Sequence, residues 1–183
     1  MVDPYRALLL LYVAQRLFEV FWSLRNRKRV LARGGEEYGR GQIPWMVALH
    51  LGLLVGCWFE AGLPGRSWPP PALFALLMIT LLLANVLRAW TMLALGDRWN
   101  VRVIIEPGRP PARKSPFHRL RHPNYLGVTL EGVALPLLHG AWATATLFTL
   151  ANAVLLLGFR IPLENTLLHG NLTGGMRPGD HDS

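Results

Sequence analysis

The stretch LRHPNYLG, residues 120–127, joins a polar loop to the start of a long apolar segment. Pro123 suits the first turn of a helix, because its missing N–H costs nothing there and its φ is already helical. The free backbone N–H groups that follow favour an anion above the helix end. Arg160 and Glu164 stand four residues apart at the end of the next apolar run. Polar clusters therefore bracket one helical hairpin, which predicts a binding site.

Composition predicts that this hairpin lies in a membrane. Hydrophobic residues make up 51% of the 183 residues, charged residues only 16%, and the mean hydropathy is +0.27. This balance is unlike that of a soluble domain. The fold class is predicted to be an all-α integral membrane protein with a C-terminal helical hairpin that turns at residues 139–140. About five transmembrane helices are expected near residues 5–24, 43–61, 70–95, 124–139 and 140–160.

Basic residues predict the orientation of these helices. Of 19 Lys and Arg residues, six lie in residues 25–41 and seven in residues 97–123, whereas the loop at 62–71 carries only Arg66. The positive-inside rule then places the N-terminus outside and both basic loops and the C-terminus in the cytoplasm. Because the cations lie in short loops between spans, we expect membrane lipids as partners and no nucleic acid.

The chain is predicted to form a single domain over residues 1–169, followed by a disordered, glycine-rich tail at 170–183. Within the cytoplasmic loop, residues 101–105 alternate like a short strand and end at a proline- and glycine-rich turn. No metal site is expected, since Cys57 is the sole cysteine of the sequence and the histidines show no ligand spacing.

Each predicted span carries a polar group at a similar depth, about 9–14 Å from its cytoplasmic end at the helical rise. Isolated charges there are costly, so we expect these side chains to face inward and to pair, with Arg88 or Arg16 in reach of Glu131 or Glu19. For Arg88 and Glu131 a share in the site is as plausible as a structural role. Whether Arg16, Glu19 and His50 support structure or contact substrate stays open. The layer consists of Arg16, Glu19, His50, Arg88, Glu131 and Asn152.

Three motifs resemble those of the isoprenylcysteine carboxyl methyltransferases, integral-membrane enzymes that use S-adenosyl-L-methionine. Residues 95–100 resemble the family's Leu-Gly-x-x-aromatic-Asn, and residues 121–127 resemble the Arg-His-Pro-x-Tyr-x-Gly that opens its fourth helix. Residues 160–164 match its Arg-x-x-x-Glu, although Asn165 stands where many members have a second acid. Pro162 inside that motif suggests a kink. The resemblance covers residues 95–168, the expected cofactor-binding core.

The N-terminal half is similar to a bacterial branch of that family. Arg16 and Glu19 in the first helix, followed by the sequence GGEEYG at 34–39, resemble enzymes encoded beside type III polyketide synthases. The resemblance implies an O-methyltransferase of the bacterial plasma membrane whose lipophilic acceptor enters from the bilayer. The acceptor that the resemblance implies is isoprenylcysteine-like, or an alkylpyrone or phenolic lipid. Its reactive group, a carboxylate or a hydroxyl, and the oligomeric state stay open.

The resemblance also implies the roles of individual residues. Arg121 would orient an acceptor oxygen through its planar fork. Glu164 would bind the cofactor or act near its sulfonium, with Arg160 holding it ionised. A carboxylate acceptor needs no base, whereas a phenol would need His122 or Glu164. The implied catalytic residues are Arg121 and Glu164. The implied cofactor-binding residues are Asn100, His122, Pro123, Tyr125, Leu126, Gly127, Arg160 and Glu164.

Other readings of the same residues stay open. The basic flank of a membrane helix would also contain residues such as Arg121 and His122. An ordinary i, i+4 ion pair would equally explain Arg160 and Glu164. The hairpin is similar to the C-terminal part of sterol reductases that use NADPH. A non-enzymatic membrane assembly protein that kept the hairpin is the other class. Binding of S-adenosylmethionine, NADPH or neither separates the three.

Overall fold

The computed structural model of the protein describes residues 3–110, 116–117 and 119–173, with side chains to residue 168. It is built of helices apart from one small antiparallel pair of strands, here called the ribbon and formed by residues 36–38 and 103–105, which confirms the all-α fold class. A 3₁₀ turn at Gly96–Arg98 follows α3, and a π-helical segment at Leu156–Arg160 joins α5 to α6 without a break. The elements are α1 (Pro4–Ala32), β1 (Glu36–Tyr38), α2 (Gln42–Glu60), α3 (Pro71–Leu95), β2 (Val103–Ile105), α4 (Pro123–Leu137), α5 (Trp142–Leu155) and α6 (Ile161–Thr173).

Four helices of the described chain are long and apolar enough to cross a membrane: Pro4–Ala32, Gln42–Glu60, Pro71–Arg98 and Trp142–Leu168. The remaining predicted segment, 124–139, is α4, which has 15 residues and rises only about 22 Å. That is shorter than a hydrocarbon core of about 30 Å. The protein is thus an integral membrane protein in which the helix that begins at the site motif is the short one.

The surface of the bundle is apolar where lipid would cover it. Leucine and phenylalanine side chains on several helices are more than 60% exposed in the isolated chain, as at Leu11, Phe21, Leu82, Leu147 and Leu157. A soluble monomer rarely exposes apolar patches on this scale. The exposed faces are therefore the faces that a bilayer solvates.

Two glycines let α4 approach its neighbours closely. A Cβ at Gly127 would lie 2.6 Å from Cγ of Arg88 and 3.2 Å from the carbonyl oxygen of Ala84, both in α3. A Cβ at Gly132 would lie 1.9 Å from Cε1 of Phe148 in α5. Because α4 is held between α3 and α5 in this way, the position of its first turn depends on how the rest of the bundle packs.

The predicted ion pairs across the polar layer are confirmed. Arg16 Nη1 lies 2.5 Å from Glu19, and its Nη2 contacts Glu131. Arg88 lies 2.5 Å from Glu19 and 3.5 Å from Glu131. Glu19, Arg88 and Glu131 are each less than 5% exposed. These four residues, here called the charge tetrad, join α1, α3 and α4 with a balanced formal charge.

The other two members of the layer also face the interior but stay outside the charge tetrad. Nδ1 of His50 donates a hydrogen bond at 2.8 Å to the carbonyl oxygen of Met46, and its ring meets Phe148 edge-on at 6.0 Å. Asn152 is buried and donates to the hydroxyl of Thr129 at 3.2 Å. The ring contact joins α2 to α5, and the Asn152 hydrogen bond joins α5 to α4, at the same level of the bundle.

The predicted short strand is confirmed as β2, although it is two residues shorter. It pairs antiparallel with β1, with Glu36 opposite Ile105 and Tyr38 opposite Val103. The partner strand lies in the glycine-rich loop after α1 and was not predicted. At the other end of the chain, α6 continues to Thr173, past the predicted domain boundary, and residues 174–183 lie outside the described part.

Candidate active site

Two adjoining cavities lie between the end of α3, the ribbon and the first turns of α4 and α6. The outer chamber has a volume of about 450 Å³, within the range of small-molecule sites. The inner chamber, about 110 Å³, extends from it to Met46 of α2 and Tyr125 of α4. Both chambers are lined by Leu95, Asn100, Phe117, Arg121, His122 and Glu164.

The two predicted motifs meet at the wall of these chambers. The hydroxyl of Tyr125 donates to Glu164 Oε1 and accepts from Arg160 Nε at 2.9 Å. Nδ1 of His122 lies 3.3 Å from Glu164 Oε2, and its Nε2 lies 3.3 Å from Oδ1 of Asn165. The start of α4 and the start of α6 are thereby joined, as the bracketed hairpin predicts.

Arg160 is the most enclosed of these side chains, at 2% exposed. Its Nη2 donates to the carbonyl oxygen of Val101 in the loop after α3, residues 96–101, here called the site loop. Its Nη1 is buried and makes no hydrogen bond with the described residues. Nε lies 3.7 Å from Glu164, so the i, i+4 ion pair exists but is looser than the contact with Tyr125.

The irregular helix before this motif has a local cause. Pro162 has no N–H to donate to the carbonyl of the residue four positions earlier. The N–H of Ile161 instead bonds to Leu156, five residues back, and a π segment forms over Leu156–Arg160. Such π segments occur often at functional sites. The predicted kink is thus a widened turn that ends at Arg160.

The inner face of α1 shapes the loop that carries Asn100. Asn26 donates to the carbonyl oxygens of Gly96 and Trp99, each at 2.9 Å. Ser23 donates to Asn100 Oδ1 at 3.0 Å and accepts the N–H of Val101 at 3.1 Å. Nδ2 of Asn100 is buried without a partner among the described residues. Sequence reasoning did not assign Ser23 or Asn26 to the site, although a buried polar pair on a membrane helix is a usable signal.

Of the residues predicted to be catalytic or cofactor-binding, all but two lie on the chamber walls. Leu126 is 42% exposed on the outside of α4, and Gly127 packs against α3. Neither lines a chamber, so the structure brings both near the site without direct access to it. Those that line one or both chambers are Asn100, Arg121, His122, Pro123, Tyr125, Arg160 and Glu164.

The charge tetrad lies below the chambers and is separate from them. Neither Arg88 nor Glu131 is among the lining residues. The nearest link is Gly127, since Arg88 fills the space where a side chain at this position would lie. The geometry therefore gives these two residues a supporting position behind the start of α4.

Ion pairs hold the ribbon over the outer chamber. Glu37 accepts from Arg27 Nε at 2.9 Å and from Arg102, and Glu106 accepts both nitrogens of the Arg33 fork at 3.1 Å. Burial raises the pKa of Glu37, but the hydrogen bonds from Arg102 and Arg27 outweigh it and hold that pKa below the usual 4.5. Burial likewise raises the pKa of Glu106, but the hydrogen bonds from Arg33 and Arg109 outweigh it and hold that pKa below its usual value. Both carboxylates are ionised near neutral pH.

A third, apolar cavity opens between α2 and α5. It has a volume of about 760 Å³, and Trp45, one of its lining residues, is 71% exposed. Met46, the next residue of α2, lines the inner chamber. One turn of α2 thus separates an apolar groove on the membrane side from the polar chamber. The groove is lined by Gly41, Gln42, Trp45, Ala48, Leu49, Ala151, Val154, Leu155 and Phe159.

Comparison with known proteins agrees with these motifs. The chain is 30% identical over 161 residues to the uncharacterized protein YpbQ of Bacillus subtilis (strain 168), covering 88% of this chain and 94% of that one. It is 26% identical over 157 residues to an uncharacterized protein of Haemophilus influenzae, covering 85% and 90%. No solved structure matches. Residues 76–170, more than half of the chain, match the sequence model of one family, and the chain belongs to the isoprenylcysteine carboxyl methyltransferase (ICMT) family.

Proposed function

We propose that the protein is an S-adenosylmethionine-dependent O-methyltransferase that acts on a carboxylate or hydroxyl of a lipophilic acceptor. Family membership already indicates a membrane methyltransferase. The observation that carries the finer proposal is the junction of Tyr125, Glu164, Arg160 and His122 at the wall between two chambers. This junction combines an anion with a cation that keeps one unsatisfied buried donor.

The residues present fit the cofactor's methionine group. Arg160 Nη1 and Asn100 Nδ2 are buried donors without partners among the described residues, and both side chains line the inner chamber. A buried donor left unpaired costs about 1–3 kcal/mol, which a ligand carboxylate would recover. Glu164, on the same wall, offers an anion to an ammonium or sulfonium group. The orphaned donors and the carboxylate together match a zwitterionic amino acid.

The outer chamber suits the rest of the cofactor. Its volume is about four times that of the inner chamber, 450 against 110 Å³. Val103, Ile105 and Leu168 supply apolar wall, while Arg102 and Asn100 supply polar groups. Small-molecule sites of this size are usually apolar with a few placed polar groups. A nucleoside fits that description.

Bound S-adenosylmethionine would supply an activated methyl group on a sulfonium. The protein's own task is then to align the acceptor oxygen with that carbon and to exclude water. Arg121 lines both chambers and has a planar fork that can hold an acceptor oxygen. Both oxygens of Glu164 already contact Tyr125 or His122. A carboxylate acceptor is ionised near pH 7 and needs no base. A phenol acceptor would need a base, for which His122 and Glu164 are the candidates.

The apolar groove between α2 and α5 supports a lipophilic acceptor. It lies beside the inner chamber, with Trp45 on the groove side and Met46 on the chamber side of the same turn. An alkyl chain in the groove would stay in an apolar environment while its polar head reached Arg121. With the basic loops taken as cytoplasmic by the positive-inside rule, the head would react at the cytoplasmic face.

Calorimetry on detergent-purified protein tests the proposal. S-adenosylmethionine or S-adenosylhomocysteine should bind, and Glu164→Gln and His122→Ala should each weaken binding by about 1–3 kcal/mol. Glu36→Gln is a matched control, because it neutralises a carboxylate that lines neither chamber. Unchanged affinity in both site variants would contradict the site, and NADPH binding in place of either ligand would contradict the cofactor. Mass spectrometry of lipid extracts should show acceptors one methylene heavier after expression.

A further inference from the structure

The first helix is longer than a membrane is thick. Its 29 residues rise about 43 Å, whereas a hydrocarbon core measures about 30 Å. The exposed apolar stripe of α1 includes Leu17 and Phe21, at 65% and 67% exposed, and ends at Leu24. The last two turns of α1 therefore reach into the headgroup region.

These last turns carry three exposed cations on the side that faces lipid, here called the basic face: Arg25, Lys28 and Arg29. Arg25 and Lys28 follow Phe21 by four and seven residues, the spacing that repeats one face of a helix. The lipid-facing stripe thus changes from apolar to basic where the hydrocarbon ends.

The basic face differs from the other cations at this end of the bundle. Arg27 pairs with Glu37 at 2.8 Å, and Arg33 pairs with Asp97 at 2.6 Å and with Glu106 at 3.1 Å. The three cations of the basic face form no ion pair with any residue that the structure describes. These three positive charges are therefore available to pair with an anionic ligand outside the protein.

The opposite side of the same turns holds the site loop. Asn26 lies between Arg25 and Lys28 in sequence and Ser23 lies just before them, and the two bind the backbone of residues 96–101 and the side chain of Asn100. A ligand that fixes the outer side of these turns therefore also fixes the support of Asn100.

We propose that the basic face binds the phosphate groups of anionic phospholipids, and that this contact orders the end of α1 and the site loop with it. Charge complementarity selects the lipid: guanidinium and ammonium groups at headgroup depth pair with phosphate, and an anionic lipid keeps a net negative charge there. Neither the lipid contact nor the ordering depends on the proposed function.

Lipid preference is measured with the whole protein in nanodiscs, using spin-labelled phosphatidylglycerol and phosphatidylcholine as probes. The wild type should prefer the anionic probe several-fold, and high salt should reduce that preference. The R25Q/K28Q/R29Q variant should show almost none. R25K/R29K keeps the charges and should keep the preference, and Arg6→Gln, at the opposite end of the bundle, should not change it. A preference that survives in the triple variant, or that the wild type lacks, would overturn the lipid site.

Hydrogen exchange tests the coupling without any cofactor. Amides of residues 96–101 should exchange several-fold more slowly with phosphatidylglycerol than with phosphatidylcholine alone, and the triple variant should lose that difference. Equal exchange in both lipids for the wild type would overturn the coupling. If the protein shows the lipid preference and the exchange change but binds no S-adenosylmethionine, the proposed function fails while this inference holds.

Discussion

Replacing Glu131 with leucine should destabilise the protein strongly, because of where its partners lie. Glu131 contacts Arg16 directly and lies 3.5 Å from Arg88. In the Glu131→Leu variant two buried guanidinium groups share the single carboxylate of Glu19, and the charge tetrad changes from neutral to a net positive charge. Breaking a buried pair by removing one partner costs about 3–5 kcal/mol.

A second substitution separates the lost contact from the stranded charge. Arg16→Met in the Glu131→Leu background restores neutrality and leaves the Arg88–Glu19 pair, which is 2.5 Å long. Replacing a whole buried pair by apolar side chains of similar size is often close to neutral. The double variant should therefore be more stable than Glu131→Leu alone, with a coupling free energy of at least about 2 kcal/mol.

Equilibrium unfolding in mixed micelles, followed by circular dichroism, measures all members of this cycle. Leu82→Ala serves as the control, because this side chain is 65% exposed on the lipid face and should change the free energy of unfolding by less than about 0.5 kcal/mol. A cost below about 1 kcal/mol for Glu131→Leu would refute the argument that the charge is stranded. Additive costs in the double variant would refute the coupling.

Three further predictions test the packing, the ribbon and the site. Gly132→Ala should cost about 1–3 kcal/mol of unfolding free energy, because its Cβ would overlap Phe148, whereas Gly52→Ala, with no atom within 4 Å, should be neutral or stabilising. Since the pKa of Glu37 is held below 4.5, its stabilisation of the ribbon is present above that pH and is lost as pH falls through the lowered pKa. Ribbon amides should then exchange faster, and Glu37→Gln should remove this pH dependence. Arg121→Lys should reduce turnover much more than cofactor affinity, and equal losses would place Arg121 in the cofactor pocket.

Hydropathy located the helices closely where they end at turns. The predicted segment 43–61 is α2 at Gln42–Glu60, and the predicted segment 70–95 is α3 at Pro71–Leu95. It placed the end of α1 too early, at residue 24 rather than Ala32. Arginine, lysine and leucine favour helix as strongly as most apolar residues do, so the helix continues after hydropathy has fallen. It ends where Gly34 adopts φ = +86°.

The charge tetrad could be predicted because depth in a membrane restricts where a charge can go. Arg16, Glu19, Arg88 and Glu131 lie on three helices, and each had to find a partner at its own level. Contacts made in the headgroup region carry no such restriction. Water and loop backbone are alternative partners there, so the bonds from Asn26 to the site loop and the pairing of β1 with β2 required the structure.

The shortness of α4 explains why polar contacts matter in this fold. Because α4 cannot span the hydrocarbon core by itself, lipid contacts do little to fix its position along the membrane normal. Apolar contacts between helices do not fix it either, because shifting one helix along another costs them little free energy. The pairs of Glu131 with Arg16 and Arg88 can form at only one height, and Gly127 and Gly132 bring neighbouring helices against α4 at fixed points. Tyr125 stands less than two turns before Glu131 on the same rigid helix. The charge tetrad therefore fixes the position along the membrane normal at which the hydroxyl of Tyr125 meets Glu164. Apolar side chains in place of the tetrad could give the bundle comparable stability, but they would not fix that position.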